Sequence, residues 1–173
     1  MKHWLWLILL LPVSPLVAKD KKLGGYVLNA AAFREIQTYC VDTHNLAPWD
    51  VQVISQFIAR ESKPSGLLAR LPWHRLATCR EGDPDAIVRP EFPSGRLETV
   101  FLRRQIRGEL LVFRAGSPSP IYITRAVSMT DAFEGHSEEF ATGIMEYNAL
   151  YCVVQILIHD WRQLSENLRA AAS

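Results

Sequence analysis

Apolar residues recur at two different spacings along this chain, and the change of spacing divides it into elements. From Phe33, "FREIQTYCVD" alternates, with Ile36, Thr38 and Cys40 on one side and Tyr39 and Val41 on the other, the period of a first strand. In "APWDVQVISQFIARES" the period lengthens: Trp49, Val53, Ile54, Phe57 and Ile58 form one helical stripe. Pro48 suits the first turn of that helix, and Asp50 suits the positive end of its dipole. "KPSG" ends it, and Pro72 limits a second short helix in "LLARLPWHRLA" to a turn or two.

"AIVRPEF" predicts a short strand that Pro90 pushes toward an edge or an end. The stretch 97–115 is extended, strongest at "GELLVF", and "GSPSP" then joins it to "IYITRAVS", the pattern of a hairpin. From Ser137, a suitable N-cap, about 30 residues run without proline. Phe140, Ile144, Tyr147, Tyr151, Val154, Ile158, Trp161, Leu164 and Leu168 sit three or four apart there, a wide apolar stripe at helical period that Met145, Cys152, Val153 and Ile156 broaden in the middle. The order β-α-β-β-β-α predicts a two-layer α/β sandwich. Its mixed sheet has about four strands, the first two parallel, and the helices pack on one face.

The chain ends refine this. Met1 to His3 are followed by an apolar run, Trp4 to Val13, and then by "SPLVAKD", the layout of a secretory signal peptide over 1–18 with cleavage after Ala18. An uncleaved anchor is the competing reading. Residues 19–32, with charge and then Gly24-Gly25, read as a flexible lead-in to a single domain over 33–173. No cysteine follows the apolar run, so a lipid attachment site is not supported, and the mature chain holds no expected transmembrane segment.

The full chain carries 19 basic and 18 acidic residues. Lys2 is the one charge within 1–18, so the mature chain balances, which argues against a dedicated nucleic-acid binder. The stretch from Arg96 to Arg114 is locally basic, and Arg103, Arg104 and Arg107 form a candidate surface for an acidic partner or an anionic envelope polymer. A solvated outer sheet face is the plainer reading. The last helix, longer than one small sheet needs, offers a surface for oligomerisation.

"DPDAIVRPEF", then "GELLVFRAGSPSPIYITRA", then a long closing helix resembles a group of small envelope proteins. They share the fold of the TolB amino-terminal domain and the curli-secretion lipoprotein family. Asp85-Ala86-Ile87-Val88 and Glu109-Leu110-Leu111-Val112-Phe113 are the matching pieces. The resemblance implies a periplasmic or surface module that binds other envelope components, and it carries no catalytic residues.

The candidate chemistry centres on Cys40, Cys79 and Cys152. In an oxidising compartment close thiols pair. Cys40 and Cys79 lie outside the long helices, near the ends of the first strand–helix–strand unit, and form the first-ranked bridge; the other two pairings stay open. Such a loop would contribute on the order of 3 to 4 kcal/mol. Cys40-x3-His44 with His74-x4-Cys79 imitates a zinc site, and Cys40, Asp42 and His44 imitate a nucleophile with its base and acid. Neither has the expected spacing or surroundings, and neither a phosphate loop nor a G-x-S-x-G elbow occurs.

The reading is therefore an exported, periplasmic or secreted protein without enzymatic role, cofactor or metal, an interaction or assembly module whose partner is an envelope protein or polymer. A small envelope enzyme or metal-binding protein built around Cys40, His44, His74 and Cys79 is the alternative.

Overall fold

A long hairpin and one helix laid across it make most of the molecule. The computed structural model describes residues 24–80, 83–93, 98–100, 103–131 and 138–172; the side chains of 98–100, 103–104, 130–131, 138 and 167–172 lie outside that description. The signal segment 1–18, its cleavage site and the N-cap Ser137 also lie outside it. The hairpin strands are β6 (Arg103–Arg114) and β7 (Pro120–Asp131), paired antiparallel throughout. Gly116, with φ of 75°, takes the left-handed position in the connecting loop.

Seven strands form one sheet in the order β1-β7-β6-β4-β2-β3, with β5 (Glu98–Val100) added to the start of β6. β1 is Tyr26–Val27, β2 Thr38–Val41, β3 His74–Arg75 and β4 Ala86–Glu91. β2 and β4 run parallel, as the strand–helix–strand pattern requires, and β3 adds parallel on the far side of β2. The four-strand expectation misses β1, β3 and β5. Each is two or three residues long, too short to show a period. The residues of "LLARLPWHRLA" form one 3-10 helical turn at Leu68–Arg70, within the limit that Pro72 sets, and then β3.

Pro90 sits in a central strand, between β2 and β6 in the sheet. Asp42 N–H donates to the Val88 carbonyl (2.9 Å), so Val88 faces β2. Pro90, two residues on, faces the same way, but β2 has already ended at Val41. The missing N–H therefore costs no ladder bond.

Three helices lie on one face: α1 (Ala30–Arg34), α2 (Pro48–Glu61) and α3 (Glu138–Ala172). α3 packs across β6 and β7, and α2 packs beside it. The buried face of α3 lies to one side of the expected stripe, toward Met145 and Val153, which broaden it. Ala141, Met145, Ala149, Val153 and Leu157 are its most deeply buried residues, whereas Phe140 is half exposed. Two of those five are alanines, which a count of large apolar residues passes over. A Cβ added at Gly108 of β6 would stand 2.9 Å from the Ala149 Cβ, so small residues on both sides set the distance of the helix from the sheet. By length and a mean hydropathy of 1.3, residues Glu139–Glu166 are long and apolar enough to cross a membrane. Half of that window is buried inside the molecule, as a core helix requires.

The segment read as a flexible lead-in is docked from Gly24 onward. β1 pairs with the start of β7, and Asn29 caps α1 by accepting from the Ala32 N–H at 3.0 Å. Phe33 of α1 stacks on Tyr122 with ring centroids 4.8 Å apart and meets Trp73 edge-on at 5.4 Å. Asp160 of α3 accepts from the Gly25 N–H (2.7 Å) and the Tyr122 hydroxyl (2.9 Å). A Cβ at Gly25 would fall 2.2 Å from the Tyr122 hydroxyl oxygen, so only glycine brings its N–H to this carboxylate. Gly25→Ala should destabilise the protein by roughly 1–3 kcal/mol through that overlap. Denaturant unfolding checks it, and a stability equal to wild type would show the lead-in is not held there.

Candidate interaction face

β-strand alternation divides the sheet into a sealed side and an open one. Tyr39, Ala86, Val88, Ile106, Leu110, Val112 and Tyr122 point into the core beneath the helices. Their neighbours point the other way, where no helix packs among the described residues. The register sets these neighbours in rows across the strands. One row is Cys40, Ile87 and Phe113; the next is Arg89, Leu111, Ile123 and Tyr26. Glu91, Glu109 and Arg125 follow, then Arg107 with Val127, then Gln105 with Met129. Tyr26, Val127 and Met129 are 59%, 48% and 52% exposed, which puts large apolar groups among the charges.

The Cys40 end of this face is closed covalently. Cys40 is bonded to Cys79, with their Cα atoms 5.1 Å apart, and Cys40 is fully buried. The bridge holds the segment after β3 against the sheet, and Leu76 N–H donates to the Tyr39 carbonyl beside it (2.8 Å). Both thiols are consumed, so neither the zinc arrangement nor the Cys40 nucleophile can form in this oxidised chain. His44 and His74 are exposed, one in the turn after β2 and the other on the edge strand β3. Among the described residues, no group of three or more His, Cys, Asp or Glu side chains is placed to hold a metal. Cys152 is a free, half-buried thiol on α3, and burial pushes its pKa up.

The charges on the face are mostly paired. Arg89 donates to Asp42 Oδ2 from Nη2 at 2.9 Å and from Nε at 3.2 Å, and its guanidinium lies 4.9 Å from the Phe113 ring centroid. Burial pushes the Asp42 carboxyl up, but the His44 N–H bond and Arg89 outweigh it and hold it below its ordinary value. Arg125 Nε meets Glu109 at 2.9 Å. Of the three arginines proposed from sequence, Arg107 is exposed on this face; the side chains of Arg103 and Arg104 lie outside the described residues. The sequence reading missed Tyr26, Val127, Met129 and the Asp42–Arg89 pair. "ITRAVSM" carried the first signal in its alternation, whereas the ion pair joins positions 47 apart and left none.

At the end of β2 and β4 the face runs into a cleft of about 270 Å³, lined by Asp42, Asn45, Asp50, Arg89, Glu91 and Phe92 among others. It lies at the carboxyl ends of two parallel strands and the start of α2, a usual place for ligands in α/β sheets. Asp50 accepts from the Ala47 backbone at the helix start, yet burial keeps its carboxyl raised. Glu146 of α3 is 5% exposed, and one of its oxygens has no hydrogen-bond partner among the described residues. Burial, then the charge of Asp50, pushes it up to about 7, against a hydrogen bond from Trp49. On the helix side, a second hollow of about 510 Å³ lies between α2 and α3, lined in part by Trp49, Phe140, Gly143 and Tyr147.

The matching "DAIV" piece is structural. Asp85 accepts from the N–H groups of Gln37 (2.9 Å) and Thr38 (2.8 Å) and from the Thr38 hydroxyl (3.0 Å), tying the start of β4 to that of β2. Those bonds hold its carboxyl below the ordinary value.

The sequence matches no protein-family model and no curated protein. Among solved structures, the chain is similar to the PelC dodecamer of Paraburkholderia phytofirmans in two crystal forms. One aligns with TM-score 0.38 and 8% identity, covering 68% of this chain and 87% of that one. The other aligns with TM-score 0.37 and 10% identity, covering 73% and 90%. A Caulobacter crescentus CB15 protein described as a lipoprotein aligns with TM-score 0.35 and 13% identity, covering 82% and 96%. The likeness is weak and does not single out the TolB amino-terminal domain, and neither a role nor an assembly is carried from it.

The Glu146 geometry has a measurable consequence. Its folded pKa of about 7 exceeds the ordinary 4.5, so the folded state holds the proton to higher pH than the unfolded one. Stability should fall as pH rises from about 4.5 through 7, by up to about 3 kcal/mol, and then level off. Glu146→Gln should remove that fall, and thermal melts of both proteins across this window measure it.

Proposed function

We propose that this chain is an exported, non-enzymatic envelope protein that serves as an interaction or assembly module, with the open sheet face as its docking surface for another envelope protein. The observation that carries the reading is the make-up of that face, where Tyr26, Val127 and Met129 stand exposed among Arg107, Arg125 and Glu109. Aromatic, methionine and arginine side chains are those enriched at protein interfaces. Because Arg89 and Arg125 are already paired with Asp42 and Glu109, the face is not uniformly basic, which favours a protein over an anionic polymer. The signal-like start at 1–18 and a bridged cysteine pair support an oxidising compartment.

Expression of the full chain in a bacterial cell, followed by fractionation and thiol mapping, tests the location. The expected product is outside the cytoplasm, begins near Lys19, and has Cys40 and Cys79 protected from alkylation. Cytoplasmic retention with an alkylated Cys40 would sink the reading. A photocrosslinker at Arg107 should then join the chain to a different protein, while one at Gln56 on the helix side should not. Crosslinking from position 56 alone would move the docking surface to the helices.

A further inference from the structure

The outward edge of β7 is paired only at its beginning. Tyr26 and Val27 pair with Ile123 and Tyr122, and the N–H groups of Leu28 and Asn29 donate to the Ile121 carbonyl at 2.9 and 3.1 Å. At Gly25 the chain turns inward, because that N–H goes to Asp160. No described residue pairs with the outward edge over residues 124–131. At 3.4 Å per residue that is about 27 Å of open strand, a length that soluble proteins seldom leave bare. The opposite edge of the sheet is β3, two residues long, beside the disulfide-held strand β2. Short edge strands of that kind are a usual protection.

The open edge is its own complement. In an antiparallel pairing centred on Ser128, Val127 stands opposite Met129 of the second copy. The pair occurs twice about the axis, and Val127 and Met129 are both about half exposed in the single chain. On the helix side Ser128 meets itself, a residue small enough for close approach. The register centred on Val127 instead sets Arg125 against Met129. A twofold interface requires a self-match, and the register centred on Ser128 supplies it in apolarity.

We infer that residues 124–131 of β7 form a homodimerisation edge, which takes a second copy of this chain by antiparallel strand addition about a twofold axis at Ser128. The two sheets then continue as one, and the open faces join into a single surface of twice the extent. This association is a property of the chain alone and stands apart from the proposed envelope role.

Sedimentation equilibrium of the purified chain over a wide concentration range should give a dimer mass. Val127→Lys places a charge opposite Met129 of the second copy and should weaken the dimer by about tenfold or more. Because Val127 is half exposed, the variant's thermal melt should stay near wild type. Adding Met129→Glu sets Lys opposite Glu twice and should restore the dimer. Ser128→Cys should give a disulfide-linked dimer under mild oxidation, since Ser128 would stand in a non-hydrogen-bonded pair, where opposed side chains approach most closely. A wild type that stays monomeric throughout, or a dimer that Val127→Lys leaves intact, overturns the inference.

Discussion

The distance between α3 and the hairpin governs the rest of the structure. Gly108 on the sheet and Ala149 on the helix leave no room for a larger group at either position, so the helix axis lies close to β6 and β7. Close seating brings Met145, Val153 and Leu157 into full burial, with the dispersion contacts that dense packing provides. It also carries two carboxylates of the same helix, Glu146 and Asp160, beneath the surface. Each must then find partners or hold a proton, because an unpaired buried charge is costly. Asp160 finds Tyr122 and the Gly25 N–H. Glu146, next to Asp50 at the start of α2, is left short of partners, and its raised pKa is the result.

One chemical device fastens distant segments at three places. Asp160 joins the lead-in to β7 through a tyrosine hydroxyl and a backbone N–H. Glu61, at the end of α2, accepts from the Tyr147 hydroxyl on α3 and from the Leu67 N–H at 2.8 Å. The Tyr147 bond, outweighing burial, holds that carboxyl below its ordinary value. A glycine stands at each junction: a Cβ at Gly66 would lie 2.3 Å from the Glu61 carbonyl oxygen, as one at Gly25 would meet Tyr122. Asp85 does the same for β2 and β4, with a threonine in place of the tyrosine. Charge-assisted bonds of this sort contribute more than neutral ones and fix position as well.

The sequence was most legible where one element had enough residues to show its period. α2, the long hairpin and α3 stand close to their expected places, and β2 and β4 are parallel as the order of elements implied. Legibility failed where tertiary contact overrides local pattern. Gly24-Gly25 read as slack, since glycine usually marks freedom, but here it marks close approach to a carboxylate 135 positions away. Pro90 read as a mark of an edge or an end; it stands near the end of β4, yet that strand is central and accepts it just beyond the end of its neighbour. On α3 the large side chains drew attention away from Ala141 and Ala149, whose small size sets the packing. Ion pairs such as Asp42–Arg89 span the fold and have no local signature.

These fastenings also bear on function through what they leave over. Three of the candidate site residues from the sequence are committed to holding the chain together: Cys40 and Cys79 to each other, and Asp42 to Arg89. Residues committed in this way keep the frame rigid. The sealed face of the sheet has its apolar residues covered by three helices, whereas the open face keeps Tyr26, Val127 and Met129 in solvent. Scattered apolar residues are ordinary on a protein surface. These differ in sitting on adjacent paired strands, so their spacing is held before any partner arrives. Preorganisation of that kind lowers the ordering cost of association, and it is the physical ground for reading this face as the working surface of the molecule.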